Sequence, residues 1–77
     1  MEQSRRPPEQ RPHRRAFGHR VAALRNQHGW TQEQLAEQAD LHRSYVAAIE
    51  VGSRNPTLDV IVKLATAFNI SLADLFT

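Results

Sequence analysis

The sequence has no cysteine, so neither a disulfide nor a thiolate metal site can brace it. No apolar run approaches the roughly 20 residues that a membrane span needs. The start is rich in arginine and proline with no apolar stretch behind it, so no secretory signal peptide is expected there. No segment alternates apolar and polar side chains with period two, so nothing reads as a strand. The routes to catalysis are missing as well. There is no glycine-rich phosphate loop, no cysteine nucleophile and no Ser/His/Asp grouping, and the chain is not expected to be an enzyme. Four histidines, His13, His19, His28 and His42, match no zinc-binding spacing, so no metal is expected, and no cofactor or small-molecule ligand. A length of 77 residues leaves room for one domain with a modest core. The expectation is a soluble cytoplasmic protein held together by helix packing, by a partner chain, or by both.

What is present is charge, unevenly placed. The net charge is only +2, yet residues 1–20 hold Arg5, Arg6, Arg11, Arg14, Arg15 and Arg20 against Glu2 and Glu9. Such asymmetry points to nucleic acid or another acidic surface. Residues 1–12 contain Pro7, Pro8 and Pro12 and almost no apolar side chains. They bury too little to offset ordering entropy and read as a flexible tail, with the folded domain over 13–77. Composition leaves two roles open for that tail. It either lays Arg5, Arg6 and Arg11 along phosphates or a minor groove, or serves as an inert, solubilising linker.

From His13 the pattern turns helical. Phe17, Val21 and Leu24 recur on one helix face, and Gly29 is a left-handed stop after His28. Thr31 caps a second helix, with Gln34 completing a T-x-x-Q capping box and Trp30 at the preceding staple position. Leu35, Ala36 and Ala39 form its inner face. Only Asp40, Leu41 and His42 intervene before a third, short helix with Val46 and Ile49 inside, ending at Gly52. Ser53–Pro56 is a loop, with Asn55 held extended by the proline after it. Thr57 caps a fourth helix with Leu58, Ile61, Leu64, Ala65 and Phe68 facing inward and Asn69 as terminator. Ser71 caps a last short helix anchored by Leu72, Leu75 and Phe76. The fold class expected is all-α, a compact five-helix bundle.

Two short helices joined by a three-to-four-residue turn, over Thr31–Gly52, have the spacing of a helix-turn-helix. In that motif the first helix lies across the phosphate backbone and the second enters the major groove. The second must be apolar inside and carry small or hydrogen-bonding side chains outside. Arg43, Ser44, Tyr45, Ala47 and Ala48 meet that demand. Arginine is the commonest bidentate partner of guanine, and the alanines either touch thymine methyls or allow close approach.

The run FGHRVAALRNQHGWTQEQLAEQADLHRSYVAAIEVGSRNPTLDVIVKLATAFNISLADLF resembles the phage repressor and Cro type of helix-turn-helix domain, the Xre family. The likeness spans Phe17–Phe76, and its most specific pieces are TQEQLAEQADL, RSYVAAIEVGSRNPTL and SLADLF. With the chain ending just after this domain, it also resembles the stand-alone controller proteins of restriction–modification systems, which carry a similar RxYIxxIExxxRN run. The resemblance implies a lambda-repressor-like fold and a dimeric transcription regulator on a near-palindromic double-stranded operator. It implies that Gln32 touches phosphate and braces the recognition helix, that Arg43 and Ser44 read bases with Ala47 and Ala48 one turn later, and that Tyr45 lies along the backbone. It further implies that Ser53, Arg54 and Asn55 grip phosphate and that Arg25 and Glu50 tie helix one to helix three. Two departures stand out. Asp40 occupies a position where glycine is common, and Ala47, Ala48 and Val51 make the outer recognition face less polar than in many relatives.

Other readings of these residues remain. Tyr45 is as well explained by packing as by a phosphate bond. The Leu72, Leu75 and Phe76 stripe is core, dimer surface or both. The fold also serves antitoxins and other protein-interaction modules, and salt-sensitive binding to random duplex DNA separates that class from a DNA regulator.

Overall fold

The computed structural model describes residues 12–77. The expectations for the arginine-rich tail therefore lie outside the described residues, apart from Pro12, which opens the first helix. Five helices follow one another: α1 Pro12–Gln27, α2 Gln32–Ala39, α3 Arg43–Val51, α4 Leu58–Phe68 and α5 Leu72–Leu75. The described residues contain no strand.

Local chemistry sets most of the boundaries. Thr31 Oγ1 accepts from the Gln34 backbone N–H at 3.1 Å, and the Gln34 side chain accepts from the Thr31 N–H at 2.8 Å. Two orphan donors of the α2 start are thus satisfied reciprocally. Thr57 caps α4 through Val60, and Ser71 caps α5 through Asp74. α2, α3 and α4 each end on a left-handed residue, Asp40, Gly52 and Asn69. For Asp40 the strain at φ 58° is tolerable, because short polar side chains visit this region more readily than others. Its N–H closes the helix onto the Ala36 and Glu37 carbonyls.

The core gathers Val21 and Leu24 of α1, Leu35, Ala36 and Ala39 of α2, Val46 and Ile49 of α3, Leu64, Ala65 and Phe68 of α4, and Leu75 of α5. Trp30 packs against it, its ring 6.0 Å from that of Phe68. α1 crosses α3 closely at Gly18. A β-carbon there would fall on the Ile49 carbonyl oxygen and 2.5 Å from that of Glu50. Only glycine lets the two backbones approach so far.

Two expectations need correction. Leu58 does not face inward; it is 66 % exposed. It is the first residue of α4, where the helix has not yet reached the core. Leu75 is fully buried within the monomer at 0 % exposure, so it is not available as a dimer-surface residue. The single turn of α5 aims Leu75 inward and leaves Leu72 and Phe76 outside, 42 % and 60 % exposed. Phe76 nonetheless stacks on Phe17 at 5.3 Å. Arg20 of α1 also donates to the Asp74 carbonyl at 2.8 Å, tying the C-terminal turn to α1.

Candidate nucleic-acid interface

α3 has two unlike faces. Val46, Ile49 and Glu50 point inward and are buried. Arg43, Ser44, Ala47, Ala48 and Val51 follow the i, i+1, i+4, i+5, i+8 spacing and share the outer face. Arg43, Ser44 and Val51 are exposed there and the two alanines half-exposed. The small side chains keep this face low enough for a neighbouring surface to approach the helix, while Arg43 projects from its first turn.

A charged brace beneath that face fixes the helix. Arg25 Nε donates to Glu50 Oε2 at 2.7 Å and Arg25 Nη2 donates to Oε1 at 3.1 Å, a bidentate pair. Arg25 Nη1 donates to the Trp30 carbonyl at 2.7 Å. Gln32 Nε2 adds a third donor to Glu50, at 2.9 Å from Oε1. Glu50, 9 % exposed, is a buried charge with its oxygens satisfied, the condition under which such a charge is tolerable. The hydrogen bond to Glu50 raises the Arg25 pKa above its ordinary value; burial opposes this, and the attraction of the Glu50 charge adds to it. Arg25 is accordingly cationic throughout the range in which proteins fold. One brace thus joins α1, the start of α2 and the end of α3.

Tyr45 and Arg54 share a cleft with Ser44 beside that face, whereas Asn55 lines a different cleft. Gln32 is the first residue of α2 and is half-buried, its amide nitrogen on Glu50. Ser53, Arg54 and Asn55 are exposed in the loop after α3. Ser53 is drawn back to the helix, its N–H and Oγ both donating to the Ala48 carbonyl, at 3.0 and 3.2 Å. Tyr45 lies on the flank of α3, half-buried against the core. The Arg54 guanidinium carbon sits 5.2 Å from the centre of its ring. Tyr45, Arg54, Ser44 and His42 line one shallow cleft with Asp40 and Leu41. Leu72 and Phe76 lie on the C-terminal turn, where Phe76 lines a second cleft with Phe17, Asn55 and Pro56.

Sequence reasoning missed three things. Gly18 carried no motif that marked it, since its demand comes from a backbone distant in sequence. Gln32 was read for bracing without its partner, which proves to be Glu50. Val62 of α4 belongs to no face that the pattern assigns, and it points outward as does Leu58, which the pattern places inside. Their i, i+4 spacing was the available signal. Among the described residues no three His, Asp or Glu side chains cluster in a way that would hold a metal ion, and no helix is long and apolar enough to cross a membrane.

The family model for the helix-turn-helix matches residues 21–75. The chain belongs to the helix-turn-helix family of transcription regulators. Control protein C.SmaI of Serratia marcescens is 44 % identical over 57 residues, spanning 74 % of this chain and 68 % of that protein. The crystal structure of the restriction–modification controller protein C.AhdI from Aeromonas hydrophila is similar with a TM-score of 0.78 at 47 % identity. That match covers 80 % of this chain and 94 % of C.AhdI. The controller C.Esp1396I, as a tetramer in complex with its natural 35-base-pair operator, is similar with a TM-score of 0.80 at 27 % identity, covering 87 % of this chain and 88 % of that one.

Proposed function

We propose that this protein binds double-stranded DNA sequence-specifically as a two-fold dimer and regulates transcription, with the outer face of α3 in the major groove. The observation that carries the reading is the construction of α3. Its buried side is locked by the Arg25–Glu50–Gln32 brace, and its outer side offers Arg43, Ser44 and two alanines at groove-compatible height. Arg43 reads a guanine, and Ala47 and Ala48 meet thymine methyls. Gln32, Ser53, Arg54 and Asn55 hold phosphates and set register, with Tyr45 packed beneath Arg54. Acting on DNA inside the cell, it needs no catalytic group.

One recognition helix reads too few base pairs for a genome. The outward apolar side chains Leu72 and Phe76 of the C-terminal turn, with Leu58 and Val62 of α4, suit a second copy. Half-sites then lie about one helical turn, roughly 34 Å, apart or a multiple of it. The similarity to C.SmaI and C.AhdI supports a controller of a restriction–modification locus as the biological role.

The test is selection of duplexes from a random pool, followed by titration of the recovered site and of random duplex at low and high salt. A near-palindromic consensus, bound far more tightly than random duplex by a dimer, is expected. Absence of any salt-dependent duplex binding overturns the reading in favour of a protein-interaction module.

A further inference from the structure

Arg54 stands exposed in the loop between α3 and α4 and, among the described residues, makes no ion pair. Its guanidinium lies 5.2 Å from the Tyr45 ring centre, inside the roughly 6 Å range of cation–π attraction. Asp40, the carboxylate lining the same cleft, sits 3.8 Å from Lys63 Nζ instead. The two partners differ in freedom. Tyr45 is packed against the core, and its N–H donates to the His42 carbonyl at 3.0 Å. The loop backbone is held at one end by Ser53 on Ala48 and at the other by half-buried Pro56. Only the Arg54 side chain has no other restraint, and a long exposed arginine otherwise spreads over many rotamers.

Resting on the DNA-binding reading above, we infer that Tyr45 is a positioning residue whose ring face, not its hydroxyl, presents the Arg54 guanidinium to a backbone phosphate. A guanidinium lying on an aromatic face keeps the N–H groups of its edge free, and that edge is the one that forks onto phosphate oxygens. Tyr45 thereby orders the cation in advance, so that less freedom is lost on binding. Ser44 and His42 border the cleft where the phosphate lies.

The variants are Tyr45→Phe, Tyr45→Leu, Arg54→Met and the Tyr45→Leu/Arg54→Met double. The first measurement needs no DNA. In the NMR spectrum of the free protein the Arg54 Cδ protons should be shifted upfield by the ring in the wild type and in Tyr45→Phe, and return to ordinary values in Tyr45→Leu. The second is the salt dependence of binding to random duplex. Arg54→Met should flatten the slope of log affinity against log salt by about 0.9. Tyr45→Leu should weaken binding about two- to fivefold, Tyr45→Phe should leave it unchanged, and the double variant should lose less than the product of the single losses.

Equal losses in Tyr45→Phe and Tyr45→Leu would show that the hydroxyl is the contact and overturn the inference. Multiplicative losses, or no ring-induced shift, would do the same. If Tyr45→Leu fails to fold, the Phe variant and Arg54→Met, which leave the core alone, still decide between ring and hydroxyl. Failure of the wild type to bind duplex at any salt overturns the DNA reading and the phosphate step with it, while the spectrum of the free protein still reports whether the ring holds Arg54.

Discussion

The α2–α3 unit and the α4–α5 end each leave an incomplete surface, and they leave it in opposite ways. On α3 the charge is inside, in the Arg25–Glu50 pair, while the outer face carries small side chains and one arginine, with a lone exposed valine, Val51, at its end. At the other end the inside is purely apolar, and Leu58, Val62, Leu72 and Phe76 remain outside. A polyanion can be met by backbone-height side chains and guanidinium groups, but a second protein copy is met by apolar area removed from water. Rigidity follows the same division. On the proposed reading α3 holds a side chain in register with a base edge, and a bidentate ion pair with a third donor fixes orientation where apolar contact alone would not.

The largest expected effect breaks the first region at its foundation. Gly18→Ala places a β-carbon against the Ile49 and Glu50 carbonyls, so α1 and α3 must separate. A loss of more than about 3 kcal/mol is expected in chemical denaturation, since rigid backbone cannot yield as a flexible side chain does. A near-neutral variant would mean that α1 and α3 are not in backbone contact.

Next comes the brace itself. Glu50→Gln or Arg25→Met leaves a partner poorly compensated and should cost about 3 kcal/mol. The double variant should cost clearly less than the sum of the two, read from melts of all four proteins. Strict additivity would show that the pair does not act as a unit.

The second region separates by depth. Leu75→Ala should destabilise the monomer by about 2–4 kcal/mol because its side chain is fully enclosed. Leu72→Glu should hardly alter the intrinsic stability of the monomer, yet shift sedimentation towards it. The reverse pattern would exchange the inner and outer sides of α5.

The smallest effect probes the outer face of α3. Arg43→Ala should cost about 1–3 kcal/mol on the selected operator and much less on random duplex, with folding untouched. Equal losses on both DNAs would assign Arg43 to a phosphate rather than a guanine.

What could be read from the sequence was whatever depends on near neighbours. Caps act over three residues, so Thr31, Thr57 and Ser71 marked the starts of α2, α4 and α5, as the structure has them. Gly52 and Asn69 marked the ends of α3 and α4 through their ease in left-handed backbone. The 3.6-residue period gave the inner faces of α1, α2 and α3, where each helix is long enough or polar enough outside for the stripe to show. The likeness to repressor domains added roles to Arg25, Glu50 and the α3 face that no local pattern contains. Helix α5 escaped because four residues are too few for a period to define a side, so Leu72 and Leu75 looked alike. Leu58 escaped for a related reason: an apolar residue at a helix start fits the pattern whether or not the core reaches it.

The sequence by itself determined five helices, their caps and the two-helix motif, because those follow from hydrogen bonds and side-chain spacing within a few residues. Only the tertiary structure decided that Gly18 lies under α3, that Gln32 joins Arg25 on Glu50, that Arg54 rests on Tyr45, and that Leu75 rather than Leu72 enters the core. Each of these is a meeting of residues far apart along the chain or a choice between two sides of one short turn. Such meetings are fixed by how whole helices pack, which no local pattern encodes.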